Sequence, residues 1–178
     1  MKLFLLLVSI ILMISCQSNK HEFKSLSSLN EFLNDIDNGF IQKDQSNQFQ
    51  FEARLIPPME GDSASQVSVQ LRISDTENTP VLDYGNITNE QRGYRENYFS
   101  FEIKNDVFLE FDGKKVYADF NHFEKNYGLK NSIDILFNFT DIKPESDVFF
   151  VYRDQVFDQG LIKIKFNKQL FKNCYVKS

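Results

Sequence analysis

The stretch FQFEARLI, residues 49–56, decides the fold class, because apolar and polar side chains alternate along nearly all of it. Every second side chain from Phe49 to Leu55 is apolar, and those between are Gln, Glu and Arg. A period of two is that of a strand with one buried and one wet face. Pro57-Pro58 ends the run, since proline donates no hydrogen bond to a neighbouring strand. The stretch is therefore predicted to be one strand of a sheet.

The same alternation recurs along most of the chain. The eight predicted strands lie within residues 49–55, 67–73, 99–103, 107–111, 116–120, 133–139, 148–152 and 162–166. Strands with one wet face are typical of antiparallel sheets, because parallel sheets are usually covered by helices on both faces. Asp112-Gly113 favours a turn with two positive φ angles, so a tight hairpin is predicted over 107–120.

Two antiparallel sheets packed face to face would bury these apolar stripes. The main prediction is a mainly β fold, an antiparallel β-sandwich preceded by one helix. It resembles immunoglobulin-like domains in architecture only, since the Cys and Trp landmarks of those domains are missing. Two alternatives remain open: an α+β fold in which the helix packs on one curved antiparallel sheet, and a small barrel around a ligand cavity.

A change of period marks one helix before the strands. Apolar residues recur at three- and four-residue steps, which predicts a helix over 26–38. Ser25 or Ser28 is expected to cap its start, and Gly39 to end it in a left-handed conformation.

The first residues resemble the signal peptide of a bacterial lipoprotein. Lys2 precedes an apolar run of about a dozen residues, which is too short to span a bilayer as a helix. The run ends in LMISC, residues 12–16, similar to a lipobox with its large apolar residue at −3 and small residue at −1. The resemblance implies cleavage before Cys16 and acylation of that cysteine, with fatty acids such as palmitate.

This resemblance sets the expected organisation and compartment. It implies a signal peptide over 1–15, a lipidated tether over 16–24 and a single globular domain over 25–178, with the β region at 47–176. The lipid would hold the protein on a membrane of the cell envelope. Gln17, the residue after the cysteine, favours the outer membrane by resemblance to enteric lipoproteins. Heavy use of Phe, Asn, Lys and Ile is typical of an AT-rich genome, such as those of many Bacteroidota.

Composition and charge indicate a protein with a substantial core and no nucleic-acid partner. With 42% apolar residues and 19 Phe, the chain has enough bulk for a core. The leader contains one Lys and no acid, so its removal leaves 19 Lys and Arg against 25 Asp and Glu. A net negative charge argues against nucleic acid as a partner.

Two side chains carry predictions about modification and reactivity. Asp62-Ser63-Ala64 lies in a predicted loop and is similar to a short motif that is O-glycosylated in periplasmic proteins of Bacteroidota. Ser63 is therefore the candidate O-glycosylation site. Cys174 has no partner within the chain once Cys16 is lipidated, and we interpret it as a buried, unreactive thiol.

No catalytic residue, metal site or cofactor is predicted. The chain has no Gly-rich phosphate loop, nucleophile elbow or paired zinc-ligand spacing. His122 beside Glu124 is interpreted as an ordinary surface residue. Asp141, Glu145 and Asp147 are interpreted as a solvated turn rather than a calcium site.

One long connection, residues 74–97, is a possible binding loop. It contains Tyr84, Arg92, Tyr94 and Arg95, and tyrosine and arginine are typical anchors of protein interfaces. The alternative interpretation is a loop that covers the edge of the sandwich with its tyrosines half buried.

Three functions are therefore weighed. The leading hypothesis is a non-catalytic envelope lipoprotein that binds a protein or a glycan. The alternative is a protective or inhibitory lipoprotein that binds a basic enzyme by charge complementarity. The third is a carboxylate-dependent hydrolase, for which the sequence supplies no identifiable acid pair.

Overall fold

The computed structural model describes residues 25–58, 65–125 and 129–172. Within these residues nine strands form two antiparallel sheets, so the prediction of a mainly β fold with antiparallel sheets is confirmed. The strands are β1 (Ile41–Ser46), β2 (Phe49–Ile56), β3 (Val67–Asp75), β4 (Val107–Phe111), β5 (Lys114–Tyr117), β6 (Phe120–Glu124), β7 (Ile133–Phe139), β8 (Val148–Arg153) and β9 (Leu161–Phe166). The α-helices are α1 (Leu26–Asn34), α2 (Asn89–Asn97) and α3 (Gln169–Lys172).

The two sheets share one apolar core. The five-stranded sheet has the order β1-β2-β3-β7-β6, and the four-stranded sheet has the order β5-β4-β8-β9. Aromatic rings join them: Phe137 lies 6.0 Å from Phe150, and Phe51 lies 6.3 Å from Tyr152, between ring centroids. Burial alternates strictly along β2 and β3, as the period of two in the sequence predicts. The alternating stripe of the opening stretch thus faces the other sheet.

The predicted hairpin at Asp112-Gly113 is confirmed. Phe111 pairs with Lys114 across the turn, and β4 and β5 continue in antiparallel register. Both central residues have positive φ, 49° for Asp112 and 73° for Gly113. Two positive φ angles match the right-handed twist of the strands on either side, so the turn is tight.

The strand predicted at 99–103 is wrong. Helix α2 passes into a π-helical turn, Tyr98–Glu102, and then a 3₁₀ turn, Ile103–Asp106. Phe99 and Ile103 are fully buried whereas Phe101 is 70% exposed, so burial there follows a four-residue step rather than a two-residue step. Phe99, Phe101 and Ile103 do alternate with polar residues, but the side chain of Phe101 faces solvent.

The strand prediction differs from the structure at two other places. The stretch 116–120 was predicted as one strand, but β5 ends at Tyr117 and β6 begins at Phe120 in the other sheet. The intervening residues carry the chain from one sheet to the other. Strand β1 was not predicted because its sequence, IQKDQS, is mostly polar. It is an edge strand, and its Lys43 lies 3.0 Å from Glu52 of β2.

The N-terminal helix is shorter than the predicted 26–38. Helix α1 ends at Asn34, and a separate 3₁₀ turn, Ile36–Asn38, follows. Ser25 caps α1 by accepting a hydrogen bond from the Ser28 N–H at 3.2 Å. Asp35 interrupts the helix with an extended backbone, and its carboxylate caps the 3₁₀ turn. Gly39 ends that turn at φ 77°, the left-handed conformation that glycine adopts without strain.

Candidate functional site

Helix α2 forms the C-terminal part of the predicted binding loop, residues 74–97. Thr88 begins it with a capping box: its hydroxyl accepts from the Gln91 N–H, and the Gln91 side chain accepts from the Thr88 N–H. Arg92 then ties the helix to a 3₁₀ turn, Val81–Asp83, because its Nη1 lies 2.8 Å from Asp83. The helix is therefore held at its start and along one side.

Arg95 anchors the C-terminal half of α2. Its Nη1 donates to the carbonyl oxygens of Leu82 and Tyr84, at 3.0 and 2.8 Å. Its guanidinium carbon lies 5.2 Å from the centroid of the Phe157 ring, within the range of a cation–π contact. Burial lowers the pKa of Arg95, and nearby Asp83 opposes that effect. Arginine nevertheless stays protonated in proteins, so a fixed positive charge lies at this place.

The loop between β8 and β9 faces α2 and is shaped by a buried carboxylate. Asp154 accepts hydrogen bonds from the Tyr152 hydroxyl at 2.9 Å and from the Gln159 N–H at 2.8 Å. It also accepts from the N–H groups of Val156 and Phe157, both at 3.0 Å. A carboxylate that collects several backbone donors holds a loop in one conformation. Asp154 thus fixes the segment that faces the helix.

Helix α2 and the β8–β9 loop border a groove of about 350 Å³. Its lining residues come from the start of α2, from α2 itself and from the β8–β9 loop: Ile87, Glu90, Gln91, Tyr94, Arg95, Gln155 and Val156. Tyr94 is 60% exposed, although it is a large aromatic residue. The groove therefore combines an exposed ring, a fixed cation and two aliphatic side chains, and we call it the α2 groove.

The structure separates the four predicted binding residues into two pairs. Tyr94 and Arg95 line the α2 groove. Tyr84 is instead half buried, with its ring 4.8 Å from that of Phe49. Arg92 forms ion pairs with Asp83 and with Glu96. Tyr84 and Arg92 therefore hold the connection together. The half-buried ring of Tyr84 agrees with the alternative interpretation of the loop, whereas the exposed ring of Tyr94 does not.

Sequence reasoning missed the remaining lining residues for two different reasons. The pattern Thr88-x-x-Gln91 is a capping signal, and it would have placed Glu90 and Gln91 on a helix. Gln155 and Val156 gave no such signal, because they lie far along the chain in a loop with no periodic pattern. Only the tertiary fold brings them beside α2.

A second cavity, of about 300 Å³, lies on the outer face of the five-stranded sheet, and His122, Glu124 and Asp134 are among its lining residues. Asp134 is paired: Arg72 donates to it from Nε at 2.7 Å, and Lys130 lies 3.4 Å away. Hydrogen bonding to Asp134 raises the pKa of Arg72. Both carboxylate oxygens of Asp134 are therefore occupied by cationic partners. Within the residues that the structure describes, no group of His, Cys, Asp and Glu is arranged to hold a metal ion.

Asp147 of the acidic turn and the buried tyrosines Tyr98 and Tyr152 also have bonded partners. Asp147 lies 2.8 Å from Lys165, and this interaction holds the pKa of Asp147 below its usual value. Tyr98 donates to Asp106 at 3.1 Å, and burial raises the pKa of Tyr98 well above that of a free phenol. Burial likewise raises the pKa of Tyr152. Both phenols therefore stay protonated at neutral pH and act as hydrogen-bond donors.

Several predictions fall on residues that the structure does not describe. Cys16 with its leader and tether, Ser63 and Cys174 all lie outside the described ranges. Their lipidation, glycosylation and burial stay predictions. Among the helices of the described ranges, none has the length and apolar character needed to span a membrane.

The fold and the groove define a class of protein: a mainly β domain with a small groove between helix α2 and the β8–β9 loop. Comparison with known proteins adds no relative to this description. No protein-family model matches the chain, and no curated protein or solved structure matches it either. The functional assignment therefore depends on the chemistry of the α2 groove.

Proposed function

We propose that this protein is a non-catalytic envelope lipoprotein that binds another protein through the α2 groove. One observation carries the proposal: a fixed arginine and an exposed tyrosine lie side by side in a groove built on two rigid supports. Tyr and Arg are the residues that most often dominate the binding energy of protein interfaces. A groove whose side chains are already held in place loses little conformational entropy when a partner binds.

The contacts of the charged residues support binding rather than catalysis. The two buried acids of the β7 and β8 regions, Asp134 and Asp154, are both occupied by several donors. Exposed His122 shares its cavity with Glu124, which lies 3.5 Å from Lys130. A hydrolase of the carboxylate type needs one acid that stays protonated and a second that is free to act as base or nucleophile. Neither Asp134 nor Asp154 offers a free carboxylate of this kind.

The proposed site in the cell is the envelope, with the outer membrane favoured. The leader with Cys16 supports it by resemblance to bacterial lipoproteins. Two or more acyl chains would hold the domain firmly, since each buried methylene contributes about 0.8 kcal/mol. The partner is then expected among envelope proteins.

The lipid anchor is tested with Cys16→Ala. We expect most of this variant to leave the membrane pellet, because it lacks the acyl chains that bind the bilayer. The measurement is immunoblotting of membrane and supernatant fractions after a carbonate wash of native cells. Cys174→Ala is the matched control and should stay in the pellet. Equal retention of the Cys16 variant would contradict the lipoprotein assignment.

The groove is tested with Tyr94→Ala. We expect capture of the partner to weaken by about thirtyfold, since loss of an interface anchor costs about 2 kcal/mol or more. The measurement is crosslinking in native cells followed by affinity capture and mass spectrometry, with the dissociation constant then measured on the identified pair.

Phe101→Ala is the matched control for that experiment, because this exposed aromatic residue follows α2 but does not line the groove. It should leave capture unchanged. If both variants bind the partner as well as the wild type does, the α2 groove is not the binding site. A one-to-one complex with a basic enzyme would favour the protective alternative.

A further inference from the structure

We infer that the α2 groove recognises a single carboxylate, presented as an Asp or Glu side chain on a peptide segment of the partner. This inference rests on the proposed function and adds the chemistry of the ligand. Its basis is the state of Arg95, whose fixed guanidinium has donors that no described residue uses.

The free donors of Arg95 have the geometry of a carboxylate site. A guanidinium carries five N–H groups in a rigid plane, and Nη1 of Arg95 already donates to two carbonyl oxygens. The Nε–H and Nη2 hydrogens have no acceptor among the described residues. Nε and Nη2 lie on one edge of the plane and form a fork that a carboxylate accepts with both oxygens. The two carbonyls hold this fork in place before any ligand arrives.

Arg95 also lacks a counterion within the part of the chain that the structure describes. The two acids whose charges act on Arg95, Asp83 and Asp154, are committed elsewhere: Asp83 to Arg92, and Asp154 to the N–H groups of its own loop. By contrast, Arg72, Arg92 and Arg153 each pair with a carboxylate. Arg54 is unpaired too, but it lies on β2 and does not line the groove. A half-buried charge without a partner is stabilised when a ligand supplies the opposite charge.

The other lining residues favour a peptide over a small anion. Ile87 and Val156 are half buried and present apolar atoms, and Tyr94 presents an exposed ring. Such surfaces contact the side chains that flank an acidic residue. Phosphate would form an ion pair with Arg95 but would not contact these apolar groups.

Glu90 sets the expected specificity. It lies at the exposed rim of the same groove, on the first turn of α2. A second acid on the ligand would be repelled by it, so one acid with neutral or basic neighbours is preferred over an acidic run. Replacing Glu90 by Gln should therefore tighten binding by about threefold, as expected for an exposed charge pair. A misfolded variant cannot produce a gain in affinity.

The test uses the lipidated full-length protein in detergent and a phage-displayed library of random twelve-residue peptides. We expect the selected peptides to be enriched in one Asp or Glu beside apolar residues. A selected peptide and its counterpart with Asn or Gln are then synthesised and titrated. The amide counterpart should bind about tenfold or more weakly, because it cannot accept a charge-assisted fork from Arg95. Arg95→Lys should reduce this difference, and Glu90→Gln should strengthen binding of the acidic peptide.

The outcomes separate this inference from the proposed function. Peptides that need Tyr94 but bind equally well as amides would overturn the carboxylate inference and leave the groove as a binding site. The same holds if no peptide is selected while a Tyr94-dependent partner is still captured from cells, since the ligand is then not a peptide segment with one acid. If neither a peptide nor a partner depends on Tyr94, both the inference and the proposed function fail.

Discussion

Replacing Phe137 by alanine is expected to lower the free energy of unfolding by about 3–5 kcal/mol. The side chain is fully buried on β7, and its ring lies 6.0 Å from that of Phe150 in the other sheet. Its removal loses the apolar contacts and leaves a cavity, because strands on both sides hold the surrounding backbone in place. Domains of this size are stable by only about 5–15 kcal/mol, so the effect is a large share of the total.

The measurement is urea unfolding followed by circular dichroism, which suits a chain without tryptophan. Phe120→Ala is the matched control, since this phenylalanine lies on the neighbouring strand β6 but is 55% exposed. It should change stability by about 0.5 kcal/mol or less. Similar losses for the two variants would mean that the two sheets do not share the core described above.

Replacing Asp154 by alanine is expected to cost about 3 kcal/mol or more and to disturb the α2 groove as well. The carboxylate accepts from the Tyr152 hydroxyl and from three backbone N–H groups of its own loop. Each buried donor left without an acceptor costs about 1–3 kcal/mol. Because Gln155 and Val156 line the groove, loss of the loop conformation should also weaken binding of any partner.

Two measurements check this second prediction. Urea unfolding gives the loss of stability, and amide hydrogen exchange at Phe157 and Gln159 reports whether their donors become free. Gln155→Ala is the control, because this residue is exposed in the same loop and accepts no such set of donors. Slow exchange at both amides in the alanine variant would show that Asp154 does not hold the loop.

Several parts of the fold could be predicted because they depend on local rules. Alternation along residues 49–56 identifies a strand with one buried face, since side chains on an extended chain point to opposite sides. Asp112-Gly113 identifies a hairpin, since few other pairs adopt positive φ twice. The helical segment 98–103 was misread because alternating residue types fit a strand as well as a helix with one exposed aromatic residue.

The candidate site was predicted only in part for a related reason. Tyr94 and Arg95 were selected by residue type, which reveals neither their neighbours nor their free donors. Tyr84 and Arg92 have the same residue types, yet their contacts serve the fold of the connection. The sequence alone could not separate these two pairs.

The amino-acid sequence by itself determined the mainly β class, most strands and one hairpin, because each depends on residues close together in the chain. The tertiary structure alone decided where the chain crosses between the sheets, which tyrosines stay exposed and which loop faces α2. Those features depend on contacts between residues far apart in the chain, such as Arg95 with the ring of Phe157. Local periodicity carries no information about such contacts, because the free energy that selects them comes from packing the whole domain.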